Sequence, residues 1–329
     1  MNARTIPTVS TRLGVGDRLG RWRVRWGLGR KRYRVEPGLY RVGSPDQESP
    51  VLVTANYKLS FDSLRAGLEG LEAWILVLDT KGVNVWCAAG KGSFGTDELV
   101  RRVQSTGLAE VVSHRKLIVP QLGATGVAAD AVRRGSGFRV VWGPVRARDL
   151  GAFLDAGMRA TDDMRRVTFT LGERAELVGV EVATVLKWVV PIALLLSVLL
   201  GGGSIFERLG TVVQKGTPVL AGLLTGTVLV PLLLPWIPGR AFSLKGALLG
   251  AVVVGVTVFF MPDAYTTAGK FQVFVLGTVA ASFFAMQFTG ATTFTSPSGV
   301  EWEMRRALPF HVGALGIALG IGIVSLFVG

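Results

Sequence analysis

Five stretches of about 20 apolar residues, near 183–203, 217–237, 242–261, 270–290 and 308–328, fill most of the second half of the chain. Runs of that length in close succession fit helices crossing a bilayer, and they exclude a purely soluble fold. Glycines four apart, Gly246/Gly250 and Gly316/Gly320, permit close helix contact. No Asp, Glu, Lys or Arg occupies the centre of a span, which disfavours a transporter or proton pump. Gln287 stands nearly alone as an uncharged polar residue there and is expected to hydrogen-bond between helices. Five spans put the two termini on opposite sides. Arg240, Lys245, Arg305 and Arg306 set against Arg208, Lys215 and Lys270 give only a weak loop bias. Residues 1–34 hold no apolar signal core, so the expectation is a multi-pass protein of the cell (inner) membrane with its amino-terminal domain cytoplasmic.

The first half reads differently. Val51-Leu52-Val53-Thr54 is a strand, a helix follows near 61–68, and 74–79 is the next strand, closing on Asp79-Thr80-Lys81-Gly82. A helix over 97–106, a strand over 117–120, a helix near 128–134, a strand over 138–142 and a helix near 147–156 complete the alternation. That order implies parallel strands joined by right-handed crossovers, with helices on both faces. With 329 residues there is room for one such domain beside the membrane part. Domain bounds are expected at 1–34 for a basic arm, 35–170 for the α/β domain, 171–182 for a linker and 183–329 for the membrane helices. The sheet's carboxyl edge would collect Thr54 and Asn56, then Leu122, Gly123 and Ala124, then Gly143, Pro144 and Val145, small or uncharged tips that suit a wide flat ligand. Ordinary turn chemistry explains each tip singly just as well.

The chain's single cysteine lies in Asn84-Val85-Trp86-Cys87-Ala88-Ala89-Gly90-Lys91, a short segment that Asn84 would cap and Gly90 would stop. One cysteine excludes an internal disulfide, and an iron-sulfur cluster needs about four. Electrons, if needed, must come from another protein. Cys87 is either a small buried hydrophobe or a thiolate ligand. Glycines at 90, 92 and 95 allow close approach of backbone, and Lys91, one turn beyond the sulfur, favours the thiolate.

This segment resembles the cap-helix signature of the HgcA family, the corrinoid proteins of microbial mercury methylation. Val51-Leu52-Val53-Thr54-Ala55-Asn56-Tyr57-Lys58, Ser113-His114-Arg115-Lys116-Leu117 and Thr292-Thr293-Phe294-Thr295-Ser296-Pro297-Ser298-Gly299-Val300-Glu301 carry the resemblance further. It implies an α/β Rossmann-like corrinoid-binding domain, a parallel sheet with a cap helix, followed by an all-α five-helix transmembrane domain. It implies a base-off corrinoid (cobalamin, cobalt) with Cys87 as catalytic residue and lower axial metal ligand. Asn84, Val85, Trp86, Ala88, Gly90, Lys91, Gly92 and Gly95, with the sheet tips Thr54, Asn56, Leu122, Gly123, Ala124, Gly143, Pro144 and Val145, would surround the cofactor. Trp86 serves equally as a core anchor. The implied activity is transfer of methyl to Hg(II) with its bonding electrons, for which an anionic soft sulfur suits cobalt better than a neutral histidine. The implied partners are a methyl-pterin donor and a ferredoxin-like [4Fe-4S] protein that supplies electrons and also presents Hg(II). A methyl carrier of acetyl-CoA-type metabolism, or a membrane scaffold or transporter with a regulatory domain, are the alternatives.

Net charge is +13, and ten basic residues stand between Arg4 and Arg34 against Asp17 alone. Nucleic acid is one conceivable partner, but beside membrane anchors a basic segment bearing Trp22 and Trp26 fits the lipid surface or a docking partner better, and residues 1–20 also read as a solvated arm. No Walker motif and no Gly-x-Gly-x-x-Gly after the first strand is present, which disfavours nucleotide hydrolysis. Neither His114 nor His311 lies in an Asp-x-His-x-x-Gly motif. His114 reads as a strand-end residue and His311 as an interfacial one.

Overall fold

The computed structural model describes residues 6–199, 203–261, 266–289, 292 and 297–328. Residues 200–202 of the first predicted span, residue 290 of the fourth and residues 293–296 of the Thr292 to Glu301 stretch lie outside the described residues. The chain divides into two compact units, one made of the residues up to Val24 with Leu28–Thr168, the other of Arg25–Gly27 with the residues from Phe169 onward.

The first unit begins with helix α1 (Val15–Arg25) and continues through β1 (Gly38–Val42), β2 (Val51–Ala55), α2 (Lys58–Ala66), β3 (Ala73–Leu78), α3 (Val85–Gly90), α4 (Thr96–Ser105), α5 (Leu108–Val111), β4 (Lys116–Pro120), α6 (Ala129–Ser136), β5 (Arg139–Gly143), α7 (Leu150–Asp155) and α8 (Asp162–Arg165). Strand order is β1-β3-β2-β4-β5. β2 pairs in parallel with both β3 and β4, and β4 with β5. Every residue of β2 and β3 is buried, as the near-continuous apolar runs require when both faces are covered. Alternation then sorts them. Val51, Val53, Trp74, Leu76, Leu117 and Val119 face a core completed by α3, α4, α5 and α6, whereas Leu52, Ile75, Val77 and Ile118 face Phe61 and Leu64 of α2 and Leu150 and Phe153 of α7. Each fully buried Leu or Phe contributes about 2 kcal/mol.

The sheet is mixed rather than all-parallel. β1 runs antiparallel to β3, with Tyr40 opposite Ile75. At an edge only Leu39 and Val42 of β1 are buried, so its sequence shows no continuous apolar run. From residue 6 on, the amino-terminal arm makes packed contacts with the sheet and with α2. Residues 7–9 run along the outer side of β1, where Val9 N–H donates to Arg41 O and Arg41 N–H to Pro7 O, covering the sheet edge. Asp17 of α1 then bonds Lys58 at 2.6 Å and Arg65 at 2.7 Å, and both cations also hold the fully buried Asp62.

The second unit contains α9 (Leu171–Leu199), α10 (Ile205–Leu224), a π-helical turn (Thr225–Leu229) leading into α11 (Val230–Leu233), then α12 (Phe242–Phe259), α13 (Thr267–Phe288) and α14 (Pro297–Val328). Among the described residues, five helical stretches are long and apolar enough to cross a membrane. The predicted linker 171–182 is instead the start of α9. Thr170 and Glu173 cap one another's backbone N–H groups there, so charged residues enter the helix without ending it. Gly246 and Gly250 pack against Ala281 and its neighbours, as their spacing predicts; a Cβ on Gly246 would stand 2.5 Å from Ala281 O. Gly316 and Gly320 meet nothing within 4 Å, so their shared spacing marks no tight contact among the described residues. Gln287 is exposed. Among the described residues, inter-helix bonds are made by Gln272, whose Nε2 donates to Ala318 O, by Ser282, whose Oγ donates to Ser243 O and lies 2.8 Å from His311 Nε2, and by Glu303, whose Oε1 accepts the Ser243 N–H. His311 is therefore buried between helices.

Candidate functional site

Among the parallel strands the order is β3-β2-β4-β5, so the chain leaves β2 to one side and later returns to the other. The carboxyl ends of β2 and β4 flank this reversal, where open α/β sheets leave a crevice for ligand. Helix α3, which carries Cys87, packs against β2 and against the Gln121–Gly123 turn that follows β4. The cap predicted from sequence thus stands at the crevice.

Its placement is built from hydrogen bonds on three residues. Asn84 is the N-cap of α3, and its side-chain oxygen accepts the Cys87 N–H at 2.8 Å. Asn56, at the tip of β2 and buried, accepts through Oδ1 from Thr80 N–H, Thr80 Oγ1–H and Gly82 N–H, and donates through Nδ2 to Asp79. These bonds fix the turn that ends β3, in which Lys81 and Gly82 both have positive φ, 57° and 74°. Glu98 of α4 accepts the Asp79 N–H at 2.8 Å while paired with Arg101 and Arg102. The sequence reading missed Glu98, placing it only within a helix. It also missed Phe94. That side chain is fully buried beneath α3, and a Cβ on Gly123 would meet its ring at 2.5 Å.

The predicted residues fall into two groups. Val85 and Ala88 are buried and pin α3 to the core, while Trp86 and Cys87 are half-buried. Gly90, Lys91 and Gly92 are exposed where the helix ends, and Gly92 has a φ of +79° that favours glycine. Leu122, Ala124 and Val145 are half-buried at the rim. Thr54, Asn56, Gly95, Gly123, Gly143 and Pro144 are buried and form its supporting layer. Gly123 makes room for Phe94, and Gly143 for Ile118, whose Cγ2 would lie 2.9 Å from an added Cβ. Across the rim, Arg165 of α8 donates to Gln121 Oε1 at 2.7 Å and Val145 N–H to Met164 O at 2.8 Å, two contacts that no motif announced. His114 lies at the opposite, amino-terminal edge. Its Nδ1 accepts from Lys116 N–H and its Nε2 lies 2.9 Å from Ser49 O.

A half-buried thiol on a rigid capped turn, beside a rim of Leu, Ala and Val, can offer one soft donor to a metal whose other ligands come from a flat organic ring. The donor set therefore fits a corrinoid. A histidine ligand from His114 does not fit, since both its ring nitrogens face backbone at the far edge.

Residues 28–154 match the family described as CdhD, the CO dehydrogenase/acetyl-CoA synthase delta subunit. The acetyl-CoA decarbonylase/synthase complex subunit gamma of Methanopyrus kandleri is 34% identical over 128 residues, 38% of this chain and 27% of that protein. The same subunit of Methanocaldococcus jannaschii is 35% identical over 127 residues, 38% and 26% of the two chains. The corrinoid/iron-sulfur protein large subunit of Moorella thermoacetica is 29% identical over 127 residues, 38% and 28%. The aligned part is about a quarter of the length of these relatives. Between residues 28 and 154, then, this chain is related to the corrinoid proteins of the acetyl-CoA pathway, in keeping with its likeness to the HgcA family.

Proposed function

We propose that this chain is a membrane-anchored, corrinoid-dependent methyltransferase whose acceptor is Hg(II). The observation that carries the reading is Cys87, half-buried on a helix capped by Asn84 at the carboxyl-edge crevice. Bound there, a corrinoid supplies a cobalt atom able to accept a methyl group and to release it with its bonding electrons to a soft electrophile. Cys87 would ligate that cobalt, and its soft anionic sulfur would favour this mode of release. Asn84 holds the helix turn that aims the sulfur, and Asn56 and Glu98 hold the turn leading into it. Trp86, Leu122, Ala124 and Val145 would shield the ring from water. The sequence has one cysteine, so electrons would come from a ferredoxin-like [4Fe-4S] partner and methyl from a methyl-pterin donor. We place the protein in the cell (inner) membrane with the α/β unit cytoplasmic.

The relatives' names favour a second reading, a methyl carrier of acetyl-CoA-type metabolism. One experiment separates the two. The full chain is purified, loaded with methylcorrinoid and given Hg(II). The first reading expects methylmercury in proportion to bound cobalt, and its loss in Cys87→Ala. A loaded chain that leaves Hg(II) unmethylated overturns it, as does a Cys87→Ala protein with undiminished yield.

A further inference from the structure

Helix α1 is amphipathic in an unusual sense. Its inner face carries Asp17 and Val24, the first held by Lys58 and Arg65, the second buried. Its outer face carries Val15, Leu19 and Trp22, spaced four and three residues apart and therefore in one line. They are 75%, 63% and 62% exposed. At 100° per residue Arg18 and Arg23 fall on the two sides of that line, and both are exposed. Beside it, Arg23, Leu28, Gly29, Arg32 and Tyr33 line an open cavity of about 320 Å³. Nothing in the corrinoid site calls for this surface, and α1 precedes the matched residues 28–154.

We infer that the outer face of α1 lies on an anionic lipid leaflet, with Val15, Leu19 and Trp22 among the acyl chains and with the cavity between Arg23 and Arg32 taking a lipid phosphate. A narrow apolar line bordered by arginines is the pattern of a helix lying in the interface, and tryptophan favours that depth. Two guanidiniums in one cavity complement an anionic headgroup. A nucleic acid would engage the arginines but gains nothing from Val15 and Leu19. The first unit is also tethered close to the apolar helix α9 by the chain itself, since it ends at Thr168 and α9 begins at Leu171. The inference stands whether or not the domain binds a corrinoid.

The test uses the full chain in nanodiscs of phosphatidylcholine alone or of phosphatidylcholine mixed with phosphatidylglycerol. A nitroxide is placed at Leu19→Cys in a Cys87→Ser background, with Val15→Cys as a second label and Arg134→Cys, on α6, as an aqueous control. In the anionic discs both α1 labels become accessible to oxygen and shielded from a water-soluble nickel chelate, while the control stays in water. Adding Arg18→Gln lowers the ratio of embedded to exposed label about fivefold. The inference is overturned if both α1 labels are as open to the nickel chelate as the control in the anionic discs. It is equally overturned if they become shielded only on addition of RNA or of a soluble protein.

Discussion

At the scale of single residues, the account rests on how little holds the sulfur in place. Helix α3 has six residues, too few to be stable alone, and the Asn84 side chain satisfies the N–H of Cys87 itself. Asn84→Ala should cost about 1 kcal/mol. Because the helix is so short, that loss appears as fraying. Cys87 should then react faster with a thiol reagent, and Asn84→Ser should restore the wild-type rate. Asn84 was legible in the sequence, since a capping residue stands immediately before the segment it caps. Asn56 was legible only as a strand tip. Its partners Thr80 and Gly82 lie 24 and 26 residues away, and a side chain spent on a distant turn looks the same in sequence as one awaiting a ligand. Asn56→Ala leaves two buried or half-buried N–H groups without their acceptor and should lower stability by about 3 kcal/mol, read from the thermal midpoint of the α/β unit.

At the scale of elements, the glycines around α3 give a paired prediction. A Cβ on Gly126 would lie 2.2 Å from Phe94 O and 2.9 Å from Ala89 Cα, with backbone on both sides that cannot yield. Gly126→Ala should therefore displace α3, cost about 2 kcal/mol and reduce bound cobalt after reconstitution. Gly90 meets nothing within 4 Å and lies at the end of the helix, so Gly90→Ala should leave the thermal midpoint unchanged or raise it. The same contrast governs the membrane helices. Gly222→Leu places a Cβ 2.0 Å from Gly277 O and should prevent α10 from packing on α13, whereas Gly316→Leu should be tolerated in a detergent-stability assay. Spacing alone made Gly246/Gly250 and Gly316/Gly320 look equivalent. What differs is whether a neighbouring backbone lies opposite, which a linear pattern does not encode. The parallel strands were legible because both faces are buried and the runs are continuous. β1 was not, because it buries only Leu39 and Val42, one on each face of the sheet, and two such positions make neither a run nor an alternation. The start of α9 was signalled by Thr170 and Glu173, but charge within the first turns masked it.

At the scale of the whole molecule, the charged arm is joined to the α/β unit by the pairing of residues 7–9 with β1 and by the Asp17 cluster, and the cluster's response to pH follows from the groups in it. Lys58, followed by Arg65, holds the Asp17 carboxyl well below the usual carboxylate range despite burial. Burial opposes the charge on Lys58, yet its bonds to Asp17 and Asp62 outweigh that and raise its pKa. A depressed acid contributes fully above its unfolded value of about 4 and loses that contribution as pH falls through its native value. A raised base contributes fully below its unfolded value of about 10.4 and loses it as pH rises through its native value. Docking of the arm should therefore be constant through the neutral range and weaken only in strong acid or alkali. Amide exchange over residues 15–25, corrected for intrinsic rate, would show this, and Asp17→Asn should loosen the arm even at neutral pH. Arm, α/β unit and membrane helices together matter to function only if the crevice holds its cofactor through sulfur. The most direct measurement is the optical and paramagnetic spectrum of the corrinoid-loaded full chain beside that of Cys87→Ala. A sulfur ligand predicts that the substitution shifts the absorption bands and alters the cobalt resonance. Superimposable spectra at equal cobalt content would contradict it.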